Sequence, residues 1–221
     1  MPKGILEEIY IKESDGWLAR VRAPLSTNTN RVILLLHGWT GDENSMWFFS
    51  RGLPTDTWIV SPRAPLVCPA GGYAWGIATI GQRPDIEKFH SQAIKLIDRL
   101  SGWVPGYSPE NRLDIIGFSQ GAAMAYTLCL TSTPVKVAPL AGYMPSGFID
   151  FASKIDFSLI KFFISHNSDD TMLPVEESRN ARDYFIRRGA VVNYCENTGG
   201  HKMSSACVKK WIFFFVTNGP E

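Results

Sequence analysis

Leu113-Asp114-Ile115-Ile116-Gly117-Phe118-Ser119-Gln120-Gly121-Ala122-Ala123-Met124-Ala125 decides how this chain is expected to fold. Its first four residues are almost wholly apolar, as in a strand covered on both faces. From Ser119 the stretch turns alanine-rich and predicts a helix running to about Leu130. Between strand and helix stands Gly117-Phe118-Ser119-Gln120-Gly121, a G-x-S-x-G pentapeptide. The pentapeptide alone is weak, because glycine and serine are common. Its context raises it: a sharp strand-to-helix turn holds its serine at strained backbone angles, and glycines remove side chains that would collide there. Ser119 is therefore the candidate nucleophile.

Further strands are expected on either side of this turn. Val32-Ile33-Leu34-Leu35-Leu36 is a continuous apolar run ending at His37-Gly38, and similar runs lie at 58–60, 135–140, 162–164 and 191–194. Pro139 weakens the run at 135–140, since proline cannot donate to a sheet ladder. Residues 8–12 and 17–21 read as two strands around a Ser14-Asp15-Gly16 turn. Ile86, Phe89, Ala93, Ile97 and Leu100 follow helical spacing. Two more helices are expected, from Pro174 to Gly189 and from Ser204 to Val216. Strand and helix alternate, which predicts one α/β domain over 1–221, a three-layer sandwich with a mostly parallel sheet.

Composition excludes several functions. With 22 basic and 21 acidic side chains and a net charge of +1, electrostatic binding of nucleic acid is not expected. The apolar run at 211–216 is far short of the roughly 20 residues that span a bilayer. The acidic start, Met1 to Glu8, lacks the apolar core of a secretory leader, so a cytoplasmic location is expected. Cys68, Cys129, Cys195 and Cys207 show no C-x-x-C spacing and read as buried free thiols. His37, His90, His166 and His201 are scattered, so neither a metal nor a cofactor is expected.

A serine nucleophile needs a base, itself oriented by an acid, and in this fold class the order along the chain is serine, acid, histidine. His201, in the glycine-rich stretch Thr198-Gly199-Gly200-His201, is the candidate base; His166 reads as a packed strand-end histidine. Asp169 and Asp170 follow the strand at 162–164, and spacing alone does not separate them. The oxyanion hole is expected from the backbone N–H groups of Gln120 and of Trp39 in the loop after Leu36. Aromatic and methionine side chains near the cleft, among them Trp75, Tyr143 and Met144, are expected to bind substrate.

Five blocks, in order, resemble the small carboxylesterase/phospholipase group of the α/β-hydrolase superfamily, which includes the acyl-protein thioesterases. They are Leu36-His37-Gly38 with Gly41-Asp42-Glu43, Pro62-Arg63-Ala64-Pro65 with Tyr73-Ala74-Trp75, the pentapeptide, Asp170-x-x-Leu173-Pro174, and Gly200-His201. The resemblance implies an α/β-hydrolase fold and selects Asp170 as the acid, because family members carry it four residues before the proline. Thr40 stands where many bacterial members carry glycine, Asn167 where the acid loop usually has glycine, and Gly76-Ile77 where the family tends to have an aromatic residue and an aspartate. The implied activity is hydrolysis of small to medium carboxylic esters through an acyl-enzyme, with acyl thioesters or lysophospholipids as alternative substrates. A ligand-binding module on a hydrolase scaffold is the non-enzymatic alternative, and the complete triad speaks against it. The short stretch from Gly142 to Leu159 leaves little room for a large lid. In the last helix Val208, Trp211, Ile212 and Phe215 are expected to face the sheet. Phe213 then points outward, where a homodimer contact is expected.

Overall fold

A computed structural model describes residues 9–26, 29–77 and 82–217. Strands β1 (Ile9–Ser14) and β2 (Trp17–Arg22) form the expected hairpin; Glu8 lies outside the described residues. Its two-residue turn has Asp15 at φ 48° and Gly16 at φ 79°. Positive φ at both positions is what lets so tight a turn match the twist of its strands.

The chain continues through β3 (Arg31–Leu36), β4 (Trp58–Pro62) and a short ladder of β5 (Leu66–Val67) with β6 (Tyr73–Ala74). Alternation follows: α1 (Ile86–Trp103), β7 (Arg112–Phe118), α2 (Gln120–Leu128), β8 (Lys136–Leu140), the single turn α3 (Phe148–Phe151), β9 (Lys161–Asn167), α4 (Glu176–Arg187), β10 (Val191–Asn197) and α5 (Ser205–Val216). Eight strands make one sheet in the order β1-β2-β4-β3-β7-β8-β9-β10. Strand β2 runs antiparallel to both neighbours, and every pairing from β4 to β10 is parallel. This is the α/β-hydrolase fold.

Strand β3 shows why the apolar runs are continuous. Val32, Leu34 and Leu36 face a core shared with α1, α2 and α4, while Ile33 and Leu35 face a second core shared with α5. Both faces of the sheet are covered, giving three layers. Burying each such side chain is worth about 1.5–3 kcal/mol, so the run Val32–Leu36 shows no alternation with polar residues. Pro139 is accommodated in β8 at a cost to the ladder. Pairing with β9 holds at Val137↔Phe162 and resumes at Leu140↔Ser165, skipping the positions where proline has no N–H to give.

Three expectations need correction. Helix α1 buries Leu96 fully and leaves Ile97 at the edge of its stripe. Helix α5 buries Cys207, Trp211, Phe214 and Phe215, with Val208 and Ile212 only half covered, so its inward face is turned from the one expected. Phe213 is half exposed, as its place on the helix suggested. The third correction concerns the cysteines: Cys195 on β10 and Cys207 on α5 are disulfide-bonded, their Cα atoms 6.0 Å apart. Cys68 and Cys129 are buried free thiols. Helix α5 has to pack across β10 before the two sulfurs meet, and a spacing of 12 residues says nothing about that packing.

Candidate active site

Ser119 stands between the end of β7 and the first turn of α2, at φ 55° and ψ −114°. A side chain at Gly117 would strike the backbone at Gly121, and one at Gly121 would strike the carbonyl of Leu36. Glycine at both positions is therefore obligatory for the turn. Its shape is held by Ser119 N–H donating to Leu140 O at 2.9 Å and by Ala122 N–H donating to Ser119 O at 3.0 Å.

Strands β9 and β10 end side by side, and their loops deliver Asp170 and His201 to this serine. His201 Nε2 lies 2.9 Å from Ser119 Oγ, and His201 Nδ1 lies 2.7 Å from Asp170 Oδ2. Asp170 is buried, and its Oδ1 accepts the N–H groups of Met172 (2.9 Å) and Leu173 (3.0 Å). Burial works to raise its pKa, but the hydrogen bonds from His201, Leu173 and Met172 outweigh it and hold the carboxyl below the usual range. An ionised Asp170 accepts a hydrogen bond from Nδ1–H, which leaves Nε2 free to accept from the serine hydroxyl.

Asp169 lies elsewhere. It is exposed, and its Oδ1 accepts from Gly199 N–H (2.7 Å) and Gly200 N–H (2.9 Å) in the loop before His201. His166 is buried behind Asp170, with Nε2 3.0 Å from Leu173 O and 3.1 Å from Asp170 Oδ2.

Trp39 belongs to the turn Gly38–Gly41, closed by Gly41 N–H on Gly38 O at 3.1 Å. Thr40 holds φ 65° in that turn, a conformation that strains a β-branched residue and comes easily to glycine. The turn is propped by His37, whose Nδ1 reaches Gly38 O (2.7 Å) and whose Nε2 accepts from Ala64 N–H (3.0 Å). With Nδ1 carrying the proton, both contacts are satisfied by the neutral ring; burial lowers its pKa in the same sense. Gln120 is the first residue of α2, so its N–H has no helical acceptor four residues back. The Gln120 side chain braces a neighbouring loop, accepting from Trp75 N–H (2.9 Å) and donating to Gly76 O (2.7 Å).

A cavity of about 560 Å³ opens beside Ser119, with Trp39, Ile77, Arg83, Tyr143 and Leu173 in its wall. Arg83 stands 4.6 Å over the Tyr143 ring, and burial pushes the Tyr143 hydroxyl up to about 12. A second cavity of about 450 Å³, walled by Met46, Phe48, Phe118 and Met203, also has Trp39 in its wall. Two expected substrate contacts are corrected. Trp75 is fully buried, its ring N–H on His37 O at 2.8 Å, and it lines neither cavity. Met144 opens instead onto a separate groove beside Asp150 and Asp183.

Residues 18–215 match the family model described as phospholipase/carboxylesterase. The chain belongs to the phospholipase/carboxylesterase family of α/β-hydrolases. No curated protein sequence matches it significantly. Among solved structures, the carboxylesterase from Mesorhizobium loti is similar with a TM-score of 0.76 at 16% identity, covering 96% of this chain and 99% of that one. The Bacillus cereus carboxylesterase gives 0.75 at 16% identity (96% and 95% covered), and acyl-protein thioesterase 2 from Zea mays 0.71 at 19% (90% and 97%). Identities this low speak to the fold alone.

Several supports of this family member's site were not foreseen: the His37 prop, the brace from the Gln120 side chain, and the contacts of Asp169 and Asn167 to the His201 loop. Each pairs residues at least 27 positions apart. The sequence offered only polar residues at the ends of strands and helices and the departure of Asn167 from the family pattern, and neither signal names a partner. Among the described residues no helix is long and apolar enough to cross a membrane, and no cluster of three or more His, Cys, Asp or Glu could hold a metal ion.

Proposed function

We propose that this family member is a serine carboxylesterase that hydrolyses small to medium carboxylic esters through an acyl-enzyme on Ser119, without a cofactor. The observation that carries the reading is the continuous relay Ser119–His201–Asp170, at 2.9 and 2.7 Å, opening into a largely apolar cavity. Ser119 Oγ attacks the ester carbonyl carbon as His201 Nε2 takes its proton. Asp170 holds the ring and stabilises the imidazolium that forms. The carbonyl oxygen becomes an oxyanion, and the N–H groups of Trp39 and Gln120 receive it; one such donor is worth about 3 kcal/mol of barrier. His201 then gives the proton to the leaving alcohol, and water, activated by the same ring, releases the acid.

An acyl thioester or a lysophospholipid would meet the same machinery. The second cavity lined by Trp39 favours a substrate with two apolar portions, so both classes belong in the substrate screen. The test is hydrolysis of soluble aryl esters by the wild type and by Ser119→Ala, with folding checked by circular dichroism. Turnover by the wild type and its near-complete loss in a folded Ser119→Ala protein are expected; substantial turnover by the variant would overturn the mechanism.

A further inference from the structure

We propose that Asn167 and Asp169 are positioning residues that fasten the His201 loop to the acid loop, so that the base and its orienting carboxylate are held as one unit. The inference rests on His201 being the base.

Strands β9 and β10 pair in parallel up to Asn167↔Asn197, and Ser168 N–H continues the ladder onto Asn197 O at 2.7 Å. The two loops therefore leave the sheet in contact. Asn167 is fully buried at this exit. Its Nδ2 donates to Gly200 O at 2.8 Å and to Lys202 O at 2.7 Å, the two carbonyls flanking His201. Both amide hydrogens are used, and the amide cannot be turned over, because Oδ1 would then face two carbonyl oxygens. Oδ1 itself is buried with no hydrogen-bond partner. The side chain thus leaves one acceptor unmet in order to hold the backbone on both sides of the histidine. Glycine, the residue of the family pattern at this position, has no side chain to do this.

Asp169 holds the preceding residues. Gly199 and Gly200 have φ of 146° and 69°, in the region that favours glycine, and their consecutive N–H groups converge on Asp169 Oδ1. Such a pair of N–H groups forms a small cradle for an anionic oxygen. A two-glycine segment left untied would sample many conformations, and the imidazole would wander with it. Together the four hydrogen bonds restrict the loop from Gly199 to Lys202.

Catalysis by a positioned group is sensitive to displacements of about 1 Å, which cost on the order of 100-fold. Asn167→Ala is therefore expected to lower kcat by roughly 10- to 100-fold, with KM changed less than about threefold. Asn167→Asp, isosteric but presenting oxygens to two carbonyls, should lose at least as much. Asp169→Ala should lose about tenfold, and Asp169→Asn, which keeps an oxygen for the two glycine N–H groups, should recover most of it.

The experiment is kcat and KM on a soluble aryl ester for the full chain and these variants, with His201→Ala as reference. Thermal unfolding and the downfield NMR resonance of the His201 Nδ1 proton are measured on the same samples. The expected result is loss in kcat, with that resonance broadened or absent, in folded Asn167→Ala and Asp169→Ala, and its return in Asp169→Asn. If Asn167→Ala does not fold, the exposed Asp169 pair decides alone. Wild-type kcat with an intact resonance in the folded alanine variants, or equal losses in Asp169→Ala and Asp169→Asn, overturns the proposal. Substantial turnover by His201→Ala overturns both this proposal and the mechanism beneath it. An inactive His201→Ala beside an unaffected Asn167→Ala removes the fastening alone.

Discussion

Ser119 Oγ stands 2.9 Å from His201 Nε2, although 82 positions separate the two residues along the chain. The sheet order produces the meeting. Strands β7, β8, β9 and β10 lie side by side and parallel, so the loops at their C-terminal ends share one edge. Ser119, Asp170 and His201 each leave that edge from a different strand, as open α/β sheets generally arrange their sites.

Asp170 and Asp169 separate cleanly by function in this account. Asp170→Asn keeps the shape and removes the acceptor that fixes the His201 tautomer, so turnover should fall by about 10⁴-fold with little change in KM. Asp169→Asn should cost less than about tenfold. Assays of both variants at one pH, with circular dichroism alongside, check the order.

Trp39 lines two cavities, and its side chain is half exposed. Trp39→Ala keeps the backbone N–H and enlarges the space that the indole lines. The ratio of turnover on a long-chain ester to that on an acetyl ester should rise by about tenfold, the scale of a few methylenes gaining a pocket. A ratio that stays fixed across chain lengths would show that the indole does not limit the substrate.

Glu43 and Arg63 tie the loop after Trp39 to the end of β4. Arg63 donates to both carboxylate oxygens of Glu43, at 2.7 and 2.9 Å, and the Glu43 side chain is nearly buried. Burial would raise the Glu43 pKa, but the Arg63 hydrogen bonds and charge prevail and lower it. A pKa lowered by folding means that this stability is complete above the unfolded value of about 4.3 and is lost as pH falls through the lower folded value. Glu43→Gln should cost about 1–2 kcal/mol at pH 7, the solvent-facing side of Arg63 screening the rest. The gap from wild type should narrow below about pH 4 in urea titrations.

Cys195 and Cys207 bracket His201 at equal distances along the chain, and their bond closes the loop that carries it. A closed loop of this length is worth about 3 kcal/mol. Denatured, unreduced protein should titrate two thiols, Cys68 and Cys129, and Cys207→Ser should lower the melting temperature by several degrees. Four titratable thiols in unreduced protein would contradict the bond.

Much of this was legible because local pattern carried it. The apolar run at 32–36 needs two covered faces, and the pentapeptide needs a strand before it and a helix after it. What escaped depended on tertiary contact. Trp75 reads as a cleft aromatic until its ring N–H is seen on His37 O, deep in the core. The disulfide exists only because α5 lies across β10. Asn167 departs from the family pattern, and only the two carbonyls beside His201 give the departure a purpose.

The central claim is that Ser119 is an activated nucleophile. It is tested most directly by the intact mass of the full chain after reaction with a serine-reactive fluorophosphonate. The account predicts one adduct per chain, mapped to Ser119 by peptide sequencing and absent from Ser119→Ala. A wild-type chain that gains no mass, or a Ser119→Ala chain that gains as much, would contradict it.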